Sequence, residues 1–458
     1  MMKQLSKYLK YDLISLFAVV LTLLGLAVAQ KPQAVQAATS DGKTQVVFWH
    51  EMGGPAEQAL LKIVDGFNKS QDKYEVVPAY QGSYDEAVQK IIQTHGTNTS
   101  PAVFQSFDIS TAQMMDSKYT TPIQKFADAD NYDLNQISAG ARAFYAKDGQ
   151  QMAMPFNTSQ PVLYYNATLL KKYHITPPPV SPSYSDISRV ATQLYNRSNH
   201  KVKGMTVQIY GWLLEEALAN ARTSLTNNSD GHDGTPTKVN LNNPTTVQFL
   251  KWIRSNIQQG NFINYGSGAS AGTNQIAGFL ADKVGMFIQS SATIGQLTAN
   301  NKNKLGITYF PHPDGTKANG VAIGGAALWI SNDKPQNVQQ GSFEFIKYAL
   351  NAQNQAQWQK ATGYLALNKD SQNETVLKKL YASNPEAKVP AQQLATATPN
   401  KTNSGILMQG MQLTRELEET AMETVYNGGD INNALTTANQ SINDNLKLTN
   451  QANGVKPK

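Results

Sequence analysis

The chain has 458 residues, 40% of them apolar and 9% aromatic, which supplies a sizeable core and, at about 150 residues per domain, room for roughly three domains or fewer large α/β units. Its 39 Lys+Arg against 33 Asp+Glu leave a net +6, half of it in residues 1–37, and no run of five or six like charges occurs. That distribution excludes a binder driven by neutralising nucleic-acid phosphates. Zero cysteines exclude disulfides, thiolate metal sites, a Cys nucleophile and a lipidated N-terminal Cys, and six scattered histidines without an H-x-x-x-H pair argue against a zinc enzyme.

In chain order, Lys3, Lys7 and Lys10 precede a 17-residue apolar run at 13–29, and Val35-Gln36-Ala37 places small residues at −3 and −1 of a cleavage site before Ala38. Residues 1–37 therefore read as a signal peptide, or, if kept, as an N-terminal membrane anchor. Residues 45–49 read as a buried strand, and 56–68 as a helix with Leu60, Ile63, Val64 and Phe67 on one face. A second strand is expected over 74–80, a helix over 84–94 and a strand over 102–107. Strand–helix–strand repetition predicts a parallel sheet whose ligands sit beyond the carboxyl ends of the strands, so the loops after Trp49, Tyr80 and Phe107 are the candidate site.

An extended stretch at 155–161 is long enough to cross between two lobes. Thr176-Pro177-Pro178-Pro179 is a stiff linker, and helices are expected over 185–195 and 245–259. The polar cluster from Asn227 to Gly234 offers oxygens at alternating positions, but no bidentate Glu follows at EF-hand spacing, so it reads as a turn. Strands are expected over 281–289 and 322–330, and helices over 343–350, 354–359, 412–427 and 431–446. No internal repeat is visible.

Catalytic signals are weak. Asp41-Gly42-Lys43-Thr44 ends like a P-loop, but Ala37 stands where the first glycine belongs, and no G-x-S-x-G elbow exists. The acid pairs Glu215-Glu216 and Glu418-Glu419 fall on helix patterns and read as solvated faces. An enzyme is not expected, and neither cofactor nor metal is implied.

From Phe48-Trp49-His50-Glu51-Met52 onward the chain resembles the periplasmic glycerol-3-phosphate-binding proteins of bacterial ABC importers. The likeness continues through Val77-Pro78-Ala79-Tyr80-Gln81-Gly82-Ser83-Tyr84, Pro101-Ala102-Val103-Phe104-Gln105, Pro155-Phe156-Asn157-Thr158-Ser159-Gln160-Pro161-Val162-Leu163-Tyr164-Tyr165-Asn166, Ile323-Gly324-Gly325-Ala326-Ala327-Leu328-Trp329, Thr362-Gly363-Tyr364-Leu365 and Arg415-Glu416-Leu417-Glu418-Glu419, collinear from about residue 45 to 445. The resemblance implies a two-lobed α/β fold, each lobe a mainly parallel sheet flanked by helices, with a multi-segment hinge near 156–162, 321–325 and 364–370. Lobe 1 would comprise 42–157 plus 325–365, and lobe 2 158–322 plus 366–458.

Carried over residue by residue, the family's ligand contacts fall on Tyr84, Asp108, Ser159, Ser290, Gly325, Tyr364 and Arg415, with Trp212 as a pocket wall. Arg415, the two serines and the backbone at Gly325 suit a phosphate, Asp108 suits glycerol hydroxyls, and Trp212 suits a C–H face. The rival reading of Arg415 is an i,i+4 salt bridge with Glu419.

The chain departs from the family at Asp108, where Glu is usual, and at Ile209, where the family has Trp. The smaller Ile209 would open the cleft for a glycerophosphodiester such as glycerophosphocholine, with Tyr210 and Trp212 facing its quaternary ammonium. The implied role is an exported, monomeric receptor that delivers a phosphorylated glycerol ligand to membrane permease subunits, with no nucleic-acid partner. The alternatives are an oligosaccharide receptor, which has no need of Arg415, and an extracellular phosphodiesterase, for which no nucleophile or metal set is found.

Overall fold

The computed structural model describes residues 42–300 and 302–455; the expected signal or anchor segment at 1–37 lies outside the described residues. Among the described residues no helix is long and apolar enough to cross a membrane.

Two sheets organise the chain. The first contains β1 (Thr44–His50), β2 (Tyr74–Tyr80), β3 (Val103–Phe107) and β4 (Thr120–Thr121). A small separate ribbon of β5 (Ala146–Lys147) and β6 (Gln150–Gln151) precedes β7 (Met154–Ser159). The second sheet contains β8 (Pro161–Asn166), β9 (Lys203–Thr206), β10 (Val284–Ser290) and β11 (Leu305–Tyr309), after which β12 (Gly324–Ser331) returns to the first. The orders are β2-β1-β3-β12-β4, with β7 also on β12, and β11-β8-β10-β9.

The strands β1, β2 and β3 pair in parallel as their intervening helices require. Both sheets are nevertheless mixed, because β12 runs antiparallel to β3, β4 and β7, and β8 antiparallel to β10 and β11. This corrects the expectation of mainly parallel sheets. The reason is the direct passage between lobes: β7 ends at Ser159, β8 starts at Pro161, and Gln160 alone separates them. A chain that enters a sheet without a crossover helix can do so against the direction of its neighbours.

Each sheet has its own core. Phe48, Phe104, Phe156, Trp329 and Trp358 lie in one, and Leu163, Met205, Phe249, Met286 and Met422 in the other. The final helices Met411–Tyr426 and Ile431–Ala452 pack on each other and join the second core. Helix Thr375–Ser383, placed in lobe 2 by the expected limits, packs instead on Ala352–Thr362, since only the turn Lys369–Asn373 follows the crossing before it. The polar cluster at 227–234 is a turn closed on itself: Ser229 donates to Asp233 (2.6 Å), Lys401 pairs with Asp233, and Asp230 accepts from the Thr226 amide (2.8 Å). No metal-holding group of side chains occurs there or elsewhere among the described residues.

Candidate functional site

The register of β1 on β2 ends at His50↔Tyr80, and β3 ends at Phe107, so the carboxyl ends of three strands open onto one edge. A capping box of Ser83 with Glu86 starts the next helix there and fixes Tyr84 as its first residue. Across the gap stand the first turn of Gly211–Asn220, the end of β10 and the first turns of Met411–Tyr426. Together they enclose a cleft of about 450 Å³. Tyr84, Asp108, Ser159, Trp212, Ser290, Gly325, Tyr364 and Arg415 all line it.

The first lobe and the crossings build one wall from aromatic rings. Tyr84 lies flat on Phe107 with centroids 5.0 Å apart, and Tyr364 stacks on Trp358 at 5.8 Å. The Tyr84 hydroxyl accepts from Asn157 Nδ2 (2.9 Å), and Asn157 Oδ1 accepts from Gln105 Nε2 (2.8 Å). Burial pushes both phenols up, so they serve as neutral hydrogen-bonding groups. Gly325 has φ +107°, and a Cβ there would sit 1.9 Å from the Asn157 carbonyl oxygen. Gly325→Ala is therefore expected to cost at least roughly 1–3 kcal/mol, the range for a strained backbone position, readable as a lowered denaturation midpoint.

The opposite wall holds Arg415. Its Nε and Nη2 donate to the two oxygens of Glu215 at 2.7 and 2.8 Å, and its Nη1 donates to Asp108 Oδ1 at 3.3 Å. Asp108 belongs to the first lobe, so this ion pair spans the cleft. Burial opposes charge on Arg415, but Asp108 and Glu215 overcome it and hold the guanidinium firmly protonated. Burial raises Asp108, with Arg415 acting against that shift. The i,i+4 bridge of the rival reading is not formed: Glu419 Oε1 accepts from the Gly211 amide at 3.2 Å instead.

Three further expectations are corrected. The acid pairs are not solvated faces, since Glu216 is 1% and Glu418 0% exposed. The two helices carrying them pack together, and Gly211 permits the approach: a Cβ on it would lie 2.8 Å from Glu418 Oε2 and 3.2 Å from Arg415 Cα. The preceding Gly211 suggests a loop for Trp212, which stands instead on the first turn of a helix. Ile209 is buried in the second core and does not line the cleft, so the volume argument drawn from it fails.

Glu215 was missed because an acid pair on a helix usually faces water. The stripe Met411, Arg415, Glu418, Met422, Val425, with 4-3-4-3 spacing, was the available signal: it turns Arg415 inward and demands a carboxylate partner. Also unread were Asp85, Glu416 and Glu419 in the cleft wall. With Asp108 they put four carboxylates around a single cation.

A family model described as bacterial extracellular solute-binding protein matches residues 62–389. The sn-glycerol-3-phosphate-binding periplasmic protein UgpB of Pectobacterium atrosepticum is 27% identical over 402 residues, 86% of this chain and 89% of that one. Two solved structures share the fold. UgpB from Mycobacterium tuberculosis in complex with glycerophosphocholine superposes with a TM-score of 0.73 at 18% identity, covering 90% of this chain and all of the other. The acarbose receptor GacH of Streptomyces glaucescens gives 0.72 at 19%, covering 88% and 99%.

Proposed function

Because the chain belongs to the bacterial extracellular solute-binding protein family, we propose that it is the receptor of an ABC importer for a glycerophosphodiester with a cationic end, of which glycerophosphocholine is the simplest case. Glycerol-3-phosphate is the weaker ligand in this reading. The ligand bridges the two lobes and favours their closed arrangement, and the closed receptor, working as a monomer, presents it to membrane permease subunits. Residues 1–37 act as the export signal or as a retained anchor, since no cysteine exists to carry a lipid. The receptor carries out no chemistry on its ligand.

One observation carries the choice of ligand: four carboxylates and one guanidinium line the cleft. Arg415 is already matched by Glu215 and Asp108, so a dianionic phosphate monoester meets excess negative charge. A phosphodiester bears a single negative charge, and a quaternary ammonium at its far end turns the acids into partners. Arg415, Ser159, Ser290 and the backbone at Gly325 then address the phosphodiester, and Asp108 accepts from a glycerol hydroxyl. Trp212 and Tyr210, 5.9 Å apart and tilted, offer ring faces to the ammonium, backed by Glu416 and Glu419.

The same acids and rings favour a second reading, an oligosaccharide whose hydroxyls bond the carboxylates; GacH, solved in complex with acarbose, shares the fold. Calorimetric titration separates the two. Glycerophosphocholine is expected to bind at least tenfold more tightly than glycerol-3-phosphate, and maltotriose not at all. Saturable binding of maltotriose without either phosphate compound would replace the first reading with the second. Glycerophosphocholine is expected to be recovered intact after prolonged incubation.

A further inference from the structure

A second and larger cavity, of about 830 Å³, lies behind the crossing segment that follows helix Ala352–Thr362. Its wall is mostly apolar: Leu394 is the half-open bulky contributor, with Ala391 and Ala395 beside it, while Leu365, Leu367 and Tyr381 reach it only by the edges of side chains otherwise buried. Lys369, Lys378 and Lys388 also line it, and no carboxylate does. None of the three lysines has an ion-pair partner among the described residues; Lys388 instead stands over the Tyr381 ring at 5.3 Å. An apolar chamber of this size edged by three unmatched ammonium groups is complementary to a molecule with a hydrocarbon body and an anionic head.

The geometry points to a second ligand site here, for an anionic amphiphile of the fatty-carboxylate class. Its place in the fold ties it to the cleft. Tyr364 lines the cleft while the next residue, Leu365, lines the rear chamber, as alternate residues of an extended segment do. That segment is held to the first lobe by Leu365 N–H to the Thr158 carbonyl (2.8 Å) and by the Ser138 N–H to the Leu367 carbonyl (2.9 Å). The opposite side of the chamber comes from helix Val389–Thr396, which packs on β11 of the second lobe. An occupant therefore touches the crossing segment and a helix that packs on the first core through Ala391 and Leu394 and on β11 of the second lobe, and it favours the lobe arrangement in which the chamber has this shape. Here Arg415 and Asp108 meet across the cleft. By linkage, the amphiphile and the cleft ligand should each tighten the other's binding by the same factor.

The test is a titration of the exported chain with dodecanoate, by calorimetry and without any cleft ligand, so that its outcome does not depend on what the cleft binds. One saturable site is expected, weakened at least tenfold in Lys378→Glu/Lys388→Glu and abolished in Leu394→Arg. Dodecyltrimethylammonium should bind at least tenfold more weakly than dodecanoate. The two lysines are exposed, so the charge-reversed variant should keep the wild-type circular dichroism and remains informative if Leu394→Arg misfolds. No saturable binding, affinity unchanged in the charge-reversed variant, or equal binding of the cationic amphiphile would each overturn the assignment.

Discussion

Arg415→Met is expected to lower the folding stability by about 3–5 kcal/mol, the range for breaking a buried ion pair from one side, and to abolish detectable binding of glycerophosphocholine. The stability loss follows from what remains. Asp108 and Glu215 each keep about a tenth of their side-chain surface exposed and would face one another with no cation between them. Glu216 and Glu418 lie buried alongside, so the deficit extends beyond a pair. Denaturant unfolding measures the first effect and calorimetry the second. The variant Arg415→Met/Glu215→Leu separates them: removing both ends of the bidentate pair should recover part of the stability, Asp108 still lacking its cation, and none of the binding. Retention of wild-type affinity in that variant would mean that the phosphate is met elsewhere.

Glu418→Met should stabilise the chain at pH 8 by about 1–3 kcal/mol, the usual penalty of a buried polar group that lacks a partner. Both carboxylate oxygens of Glu418 are buried without a hydrogen bond, as is Oε1 of Glu216, whose Oε2 accepts from the Ala322 amide at 2.7 Å. Burial holds both carboxyls well above the ordinary value of 4.5, with Glu215 and Glu419 adding to the effect on Glu418 and Arg415 opposing it. A carboxyl raised by folding keeps its proton in the folded chain after the unfolded chain has released it. Its favourable contribution is complete below about 4.5, and it declines as the pH climbs from there through the raised value. Unfolding curves collected from pH 5 to 8 should thus show wild-type stability falling relative to Glu418→Met. Parallel curves would show that Glu418 does not titrate differently on folding. Arg415 keeps Asp108 and Glu215 in the variant, so the substitution leaves no charge unmatched.

How far the sequence reveals this molecule depends on where its signals are local. The expected 74–80 and 84–94 coincide with Tyr74–Tyr80 and Tyr84–Thr94, because a Val-rich strand and a capping box mark their own ends. Strands Lys203–Thr206 and Leu305–Tyr309 went unread: both are short and contain glycine, and the alternation of Leu305, Ile307 and Tyr309 is too brief to stand out from its surroundings. Helix Ala269–Leu280 went unread because its Ala, Gly, Thr and Asn residues give little contrast between faces.

The eight candidate residues meet at one cleft, yet periodicity would not have chosen them. Ser159, Ser290 and Gly325 are ordinary loop and strand-end residues until the resemblance supplies their register. Glu215 was marked by neither route: the resemblance did not include it, its own helix pattern suggested water, and the stripe around Arg415 calls for a carboxylate without saying which. The direction of β8 and β12 was equally hidden: a one-residue passage leads into β8 and the helix-free stretch 310–323 into β12, and no helical or strand period records either.

The position of β12 in the chain has a consequence for how the molecule forms. Residues 324–331 are the central strand of the first sheet, pairing with β3, β4 and β7, while about two thirds of the described chain lies before them. Until that strand arrives, β3 has an open edge and Phe104 and Phe156 have no Trp329 core to join. Pairings of such long sequence separation form slowly. A chain leaving the ribosome therefore stays loose through most of its synthesis, a condition that suits passage through a narrow export channel before assembly on the far side.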